Sequence, residues 1–266
     1  RDLHSFPTRR SSDLLRDALA PGYAKRTKQG HVYWRDAGEH AYLVVGMVAA
    51  ARVAPTLRLD LDPAADLRTA TGNALDALVD LCGANARWSV YPNVDSMAIV
   101  ALADGALAWP DDPRAAAWRQ TAAAVADAWM AAKVPDYPAP VVHFGPRIKP
   151  DQMTFNWGHL SGKPETGINT IYLYQTGHWL HALARLYRLT GDARYRDRCL
   201  AMVNYLCGDN PMRARLLTET GGVYNWVDDR NKDGIEDTLK FDLYPESTAF
   251  CQIGLGHLVD ALEKRR

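Results

Sequence analysis

The feature that most constrains how this chain can fold is a helical pattern that stops and restarts within segment 170–207. Its first part, 170–189, has the spacing of an amphipathic helix, and Gly191 and Asp192 then supply a helix stop and an N-cap. Apolar residues recur on one face of the second part, at Tyr195, Cys199, Met202, Val203 and Leu206. Because so short a turn holds the helices side by side, the segment predicts an antiparallel αα-hairpin.

Two earlier parts of the chain repeat this shape. Residues 96–109 read as a helix, 110–113 as a proline-bounded turn, and the following residues as a return helix. A third hairpin is predicted from helices at 38–54 and 64–82. A last helix is predicted at 247–263, and we expect it to be buried because its apolar residues lie nearly all round it.

Long connections rich in proline, glycine and aromatic residues separate the hairpins, notably 134–168 and 208–245. Loops of this length in a compact domain are uncommon unless they are functional. Short turns on one side of a stack of hairpins and long loops on the other indicate an all-α fold, a complete or truncated α/α toroid with its site at the long-loop end. An open helical solenoid is the alternative, and it would need shorter, more uniform connections.

The first residues do not read as part of this domain. Segment 4–14 resembles the in-frame translation of a sequencing adapter, so we treat 1–14 as an artefact and 15–266 as a single domain. On this interpretation the original N-terminus has been replaced. We therefore expect the chain to be a C-terminal piece of a longer protein.

Bulk composition excludes several classes of partner. Acidic and basic residues balance at 31 each, which gives no electrostatic footprint for a nucleic acid. Apolar runs stay short of the roughly 20 residues that cross a bilayer, so no membrane partner is expected. The four cysteines lack zinc-site spacing, and no phosphate loop, GxSxG elbow or HExxH motif is present. Carboxylates, histidines and loop aromatics are left to carry any chemistry.

Three short motifs carry a resemblance to a known family. The 187–192 turn with Tyr205-Leu-Cys-Gly-Asp-Asn-Pro211 is similar to the C-terminal hairpin and "LGxNP" loop of glycoside hydrolase family 9. Asp36-Ala-Gly-Glu39 looks like that family's "DAGDY" segment, and Tyr244-Pro-Glu246 stands where the family has its "NE" acid. Since "SYVTG" after the NP is absent, membership of the wider six-hairpin glycosidase group is favoured. The resemblance implies an (α/α)-barrel hydrolase that inverts the anomeric centre and is secreted or periplasmic.

Carried to this chain, the resemblance makes Glu246 the catalytic acid, with Asp36 and Glu39 holding the attacking water. Inverting hydrolysis needs one protonated carboxyl and one carboxylate about 6.5–9.5 Å apart. The alternative for all three residues is structural, because an acidic residue in the first turn of a helix commonly serves as a cap or dipole partner.

Aromatic and polar residues of the loops and of helix 170–189 are the candidates for sugar binding, because flat rings cover the apolar face of a pyranose. His178 and His181 could also ligate a metal from one helical face, but a solvated or pore-lining polar stripe with Arg185 is the preferred interpretation. The predicted substrate-binding residues are Trp34, Arg147, Trp157, His159, His178, Tyr224, Trp226 and Tyr244.

An acidic segment predicts a structural calcium site. Asp229, Asn231, Asp233 and Asp237 place oxygen ligands at positions 1, 3, 5 and 9 around Gly234. Lys240 occupies the place of the bidentate glutamate of an EF-hand, so the segment resembles the shorter D-x-N-x-D-G-x-x-D calcium loops. The alternative is an Asx-turn loop without an ion. No organic cofactor is expected.

The leading hypothesis is therefore a hydrolase of β-linked oligo- or polysaccharides that uses carboxylate acid/base catalysis. A polysaccharide lyase of the same architecture is the second hypothesis, with a tyrosine or histidine as the base and Arg147 or Arg215 neutralising a uronate. A non-catalytic carbohydrate-binding fragment is the third. Glycan identity, disulfide state and oligomeric state are not readable from the sequence.

Overall fold

A computed structural model describes residues 34–56, 63–82, 86, 88, 92–131, 170–210, 213–224, 226–228 and 245–265. Several predicted site residues lie outside these ranges, namely Arg147, Trp157, His159, Asp229, Asn231, Asp233, Asp237 and Tyr244. Trp34, Asp36 and Glu39 belong to a described helix and Trp226 to a described strand, but only through their backbones. The predicted artefact at 1–14 is also outside the described part of the chain.

The described residues form an all-α structure, as the hairpin pattern predicts. Its helices are α1 (Trp34–Val53), α2 (Pro63–Leu81), α3 (Pro92–Ala108), α4 (Ala115–Ala131), α5 (Leu173–Thr190), α6 (Ala193–Leu206) and α7 (Pro245–Glu263). A 3-10 turn at Ala54–Thr56 follows α1. Helix α6 begins at the predicted N-cap, where the Asp192 carboxylate accepts a hydrogen bond from the backbone of Arg194.

One predicted helix begins later than expected. Residues Thr170–Tyr172 form a short strand, β1, which pairs antiparallel with β2 (Trp226–Asp228). The ladder satisfies backbone groups through a distant segment, and this pairing overrides the local helical spacing of residues 170–172. It also fastens the end of the 213–228 region to the start of α5.

The odd-numbered helices form one layer, in the order α1, α3, α5 and α7, and each even-numbered helix packs on the odd one before it. Ion pairs show that α3, α5 and α7 run in the same direction. Asp104 near the end of α3 pairs with Arg185 near the end of α5. Arg188, also late in α5, pairs with Asp260 late in α7 at 2.5 Å. The beginnings of these three helices therefore share one end of the layer, and Tyr42 in the N-terminal half of α1 contacts His178 towards the same end. The long connections join this end.

Helices α5 and α7 approach each other closely because glycines face each other between them. A Cβ atom on Gly177 would lie 2.5 Å from the backbone nitrogen of Cys251, and one on Gly254 would lie 2.9 Å from the Gly177 carbonyl oxygen. Both positions exclude any side chain. The contact holds the start of α7, with Glu246, against the first turns of α5.

The prediction that the last helix is buried all round is wrong. Ile253 and Val259 in α7 are 44% and 53% exposed, whereas Cys251, Leu258 and Ala261 on the opposite face are buried. The physical reason is the position of α7 at the edge of the inner layer, where α5 covers one of its faces. Apolar composition alone does not distinguish a helix at an edge from one with neighbours on both sides.

A smaller apolar cluster lies beneath the segment after α6. Leu173, Tyr205, Leu216 and Val223 contribute to it, and the side chain of Asn210 holds the surrounding loop. Its amide nitrogen donates to the carbonyl oxygens of Tyr205 at 2.8 Å and Ala214 at 2.7 Å. Its carbonyl oxygen accepts from the backbone nitrogen of Ala214 at 3.2 Å. The Cys207-Gly-Asp-Asn210 motif is thus a loop in which the Asn210 side chain forms hydrogen bonds with backbone groups of Tyr205 and Ala214.

Candidate functional site

The inner helices bring a group of aromatic and polar side chains together near their N-terminal ends. His178 of α5 lies at its centre, and its Nε2 atom is 3.2 Å from the hydroxyl oxygen of Tyr42 in α1. The Phe250 ring of α7 lies 3.7 Å from the imidazole, centroid to centroid, and Tyr174 makes an edge contact at 6.2 Å. Three of the inner helices meet at this histidine, so the site is formed by tertiary packing.

The polar stripe of α5 is buried, so the solvated alternative of the prediction is wrong and the pore-lining one stays a prediction. His178 is 1% exposed and Arg185 is 5% exposed. Burial lowers the pKa of His178 to about 3, so its imidazole is neutral near pH 7. The stripe is buried because α5 lies between α3 and α7, and the side chains that a single helix would turn to water contact those neighbours instead.

A second histidine pair lies further along the same interface. The rings of His181 in α5 and His257 in α7 are stacked, with centroids 4.1 Å apart and planes 9° from parallel. Burial, together with nearby positive charge, lowers the pKa of His181 to about 2. Across the described ranges, no cluster of three or more histidine, cysteine or acidic side chains is placed to hold a metal ion. The stacked pair makes a packing contact between α5 and α7.

The hydroxyl of Tyr42 stands among three polar groups from different helices. Burial raises the pKa of Tyr42 to about 12. The hydrogen bond from the Asn93 side chain in α3 opposes that rise, and the negative charge of Glu246 in α7 adds to it. Phe250 of α7, one turn beyond Glu246, and Tyr42 of α1 both contact His178. The start of α7 and the N-terminal half of α1 therefore meet at this histidine.

Several buried polar atoms of the inner helices find no hydrogen-bond partner in the part of the chain that the structure describes. They are His40 Nε2, Asn93 Oδ1, Gln175 Oε1, Thr176 Oγ1, His178 Nδ1 and His181 Nε2. Buried polar groups in folded proteins are nearly always paired with protein atoms or with water. Four of these atoms, those of Asn93, Gln175, Thr176 and His178, belong to the first two turns of α3 and α5. Unpaired polar atoms grouped in this way are typical of a place that receives a polar ligand or ordered water.

Asp95 does not have the simple role of a helix cap. Its carboxylate is fully buried in the first turn of α3. One oxygen accepts from the backbone nitrogen of Trp88 at 2.9 Å, and the other accepts from the indole of Trp129 at 2.8 Å. Asp95 therefore holds α3, α4 and the segment before α3 together beneath Asn93.

Glu246 is the catalytic candidate whose side chain the structure describes, and it is exposed in the first turn of α7. This position leaves the carboxylate accessible to a substrate, while the neighbouring Ser247 is buried. Asp36 and Glu39 lie in the first turns of α1 by their backbones. The carboxylate-bearing first turns from opposite ends of the chain are thus at the same end of the inner layer.

Two further candidates have contacts of their own in the 213–224 segment. Tyr224, predicted to bind substrate, is partly buried against the small apolar cluster, which also contains Leu173 of α5 and Cys251 of α7. Arg215, which the lyase hypothesis assigns to a uronate, donates to the carbonyl oxygen of Leu217 at 2.9 Å.

Sequence reasoning missed Tyr42, Asn93 and Phe250 as members of the site. Tyr42 follows Glu39 by three residues in α1, which places both positions on one face of the helix, and this spacing could have identified it. Asn93 and Phe250 carry no such signal, because an asparagine in a first turn and a phenylalanine in an apolar helix are ordinary.

The predicted calcium segment begins directly after β2, whose last residue is Asp228. If it binds calcium as predicted, a chelator should lower the melting temperature by about 5 °C or more, since a ligand at 100 times its dissociation constant adds roughly 2.7 kcal/mol. The Asp233→Asn variant should melt at the chelated temperature with or without calcium. A melting temperature that the chelator leaves unchanged in the parent protein contradicts the site.

A comparison with protein-family models and with curated proteins found no match. The resemblance to the six-hairpin glycosidases therefore stands as a hypothesis that rests on the short motifs. Among the helices that the structure describes, none combines the length and the apolar character that a membrane crossing requires.

Proposed function

We propose that the protein is a glycoside hydrolase whose two helical layers belong to an α/α toroid. The observation that carries this proposal is that Tyr42 of α1 and Phe250 of α7 both contact His178, and Phe250 lies one turn beyond Glu246, so the start of α7 lies near the N-terminal half of α1. Glu39 precedes Tyr42 by three residues, about 4.5 Å along the helix axis. A pair of carboxyl groups from these two first turns is compatible with the spacing of about 6.5–9.5 Å that inverting hydrolysis needs.

In this proposal Glu246 donates a proton to the leaving oxygen of the glycosidic bond, while Asp36 and Glu39 hold and activate the attacking water. The exposed position of Glu246 allows it to reach a polymer that lies across the ends of the inner helices. Phe250, one turn further along α7, and the Tyr42 ring supply aromatic surface beside it.

The test is release of reducing sugar from a panel of β-glucans and xylans. Glu246→Gln keeps the size of the side chain and removes the acid, so we expect hydrolysis to fall by about 10²–10⁴-fold. Glu263→Gln is the matched control, because it makes the same change at an exposed position at the other end of α7. Equal activity of the Glu246→Gln variant and the parent would contradict the assignment, and binding without turnover by the parent would indicate a carbohydrate-binding fragment.

A lyase of the same architecture is the second candidate, and the hydrogen bond between Tyr42 and His178 favours it, since lyases use tyrosine or histidine as base. Elimination leaves a double bond in the product, which absorbs in the ultraviolet, whereas hydrolysis does not. The same panel extended to polyuronates separates the two reactions. Ultraviolet-absorbing products that persist in Glu246→Gln would replace the hydrolase proposal with the lyase.

A further inference from the structure

We propose that Tyr42 is a substrate-contacting residue whose hydroxyl donates a hydrogen bond to an uncharged sugar oxygen beside Glu246, with His178 and Asn93 as its positioning residues. This inference rests on the proposed function and assigns residues that the sequence motifs do not mark. Its basis is the meeting of three helices at one phenol: α1 supplies Tyr42, α3 supplies Asn93 and α5 supplies His178.

The hydrogen bonds of His178 and Tyr42 indicate which atom is left to bind a ligand. A neutral imidazole carries one N–H, and the Nδ1 atom of His178 has no partner in the described ranges. If the proton were on Nδ1, a buried donor would be unpaired, which is rarer in proteins than an unpaired acceptor. The proton therefore belongs on Nε2, which donates to the Tyr42 oxygen at 3.2 Å.

A phenol oxygen has two lone pairs and one proton. One lone pair of the Tyr42 oxygen accepts from His178 at 3.2 Å, so this contact does not use the Tyr42 proton. The proton is left to donate outward, while the Asn93 side chain is a second neighbour that lowers the pKa of the phenol.

The exposure of Tyr42 and the charge near it decide which kind of group its hydroxyl can bind. Tyr42 is 37% exposed as a whole residue, whereas Asn93 and His178 are 5% and 1% exposed, so Tyr42 is the member of this group that a ligand can reach. Glu246 is the proton donor in the proposed reaction, and once it has given up that proton its negative charge disfavours an anionic group at this place. An uncharged oxygen acceptor, such as a sugar hydroxyl, fits both conditions.

The test separates Tyr42 from Glu246. Binding is measured by calorimetry on the Glu246→Gln protein with oligosaccharides of β-1,4-linked glucose and of β-1,4-linked xylose, and turnover is measured on the parent. Tyr42→Phe removes the hydroxyl and keeps the ring, so we expect the dissociation constant and KM to rise about 3- to 10-fold with kcat little changed. Tyr195→Phe is the matched control, because it removes a tyrosine hydroxyl that bonds Asp127 in the outer layer at 3.0 Å.

The role of His178 is tested by removing its N–H donor and then restoring an N–H donor with a different side chain. His178→Phe removes the N–H donor and should raise KM as much as Tyr42→Phe does, and the double variant should be no worse than either single one because they act as a unit. His178→Gln restores an N–H donor and should recover most of the lost affinity. A purely structural role would make Gln and Phe equivalent.

The outcomes are distinct. An active parent whose KM is unchanged by Tyr42→Phe would overturn this inference and leave the hydrolase proposal in place. Tighter binding of an oligogalacturonate than of the uncharged oligosaccharides by the parent protein, which keeps Glu246, would overturn the assignment of an uncharged ligand. A parent that neither binds nor cleaves any glycan of the panel would overturn both proposals.

Discussion

Replacing Gly177 with alanine is expected to lower the free energy of unfolding by about 3 kcal/mol or more, at the upper end of the usual cost of overpacking. The new Cβ atom would lie 2.5 Å from the backbone nitrogen of Cys251 and 2.5 Å from the carbonyl carbon of Phe250. Both are backbone atoms of α7, so no side-chain rotation relieves the clash and the two inner helices must separate. Chemical denaturation followed by circular dichroism measures the loss.

The matched control is a helical glycine whose position has room for a side chain. Gly256 lies in α7 with no atom within 4 Å of its would-be Cβ, and the same is true of Gly46 in α1. Alanine at either position should raise the free energy of unfolding by roughly 0.5–1 kcal/mol, because glycine loses more backbone entropy in a helix interior. If Gly177→Ala and Gly256→Ala had equal effects, the close contact between α5 and α7 would be wrong. The Gly177→Ala change should also weaken activity, since it displaces Glu246 and Phe250 from His178.

The second large effect is a loss of stability in mild acid. The native state holds His178 and His181 neutral, with pKa values lowered by burial to about 3 and about 2. In the unfolded chain a histidine titrates near its usual value of 6.5. Below pH 6.5 the unfolded state therefore binds more protons than the native state, so stability falls as the pH falls.

The size of the effect follows from linkage. Each buried neutral histidine destabilises the fold by about 1.4 kcal/mol for each pH unit below 6.5, so between pH 7 and pH 4.5 each contributes a loss of roughly 2.5 kcal/mol. Together the two give about 5 kcal/mol, a large part of the stability of an ordinary domain. Asp112, whose pKa is lowered chiefly by the hydrogen bond from Arg114, loses its contribution only below its usual value of 3.8. The pH range in which the two histidines lower stability therefore begins well above the range in which Asp112 does, and the two effects can be measured separately.

Denaturation midpoints between pH 7 and pH 4.5 measure this dependence. His178→Gln and His181→Gln should each reduce the slope by about one proton, because glutamine does not titrate. His257, whose pKa is also lowered by burial, contributes to the slope that remains. A slope that neither replacement changes would contradict the neutral, buried state of these side chains.

The helical hairpins were predictable because they depend on local signals. The apolar spacing of α6, its Asp192 cap and the Gly191 turn all lie within a few residues of one another, and the structure confirms each of them. The short strand at Thr170–Tyr172 was not predictable, since its pairing partner Trp226–Asp228 is far along the chain. Glu246 could be selected as a first-turn acid, but its nearness to Tyr42 could not.

The burial of α5 shows the same limit in another way. A stripe of His178, His181 and Arg185 on one helix normally indicates a face in water. Here α3 and α7 cover that face, the arginine pairs with Asp104, and the histidines stack on Phe250 and His257. A helix with two inner neighbours has no solvent-exposed face over most of its length. The sequence pattern of one helix does not show how many other helices pack against it.

The sequence by itself determined the all-α class, the hairpins and the C-terminal ends of the helices, because periodicity, caps and turns act over a few residues. Helices α1 and α3 begin four residues before their predicted starts, at Trp34 and Pro92. Only the tertiary structure decided that the starts of α1, α3, α5 and α7 lie together, with Tyr42, Asn93, His178 and Glu246 in one group. The physical reason is that the order and approach of the inner helices depend on long-range packing, above all on the close contact at Gly177 and Gly254. Local sequence patterns do not predict the contact between these two glycines.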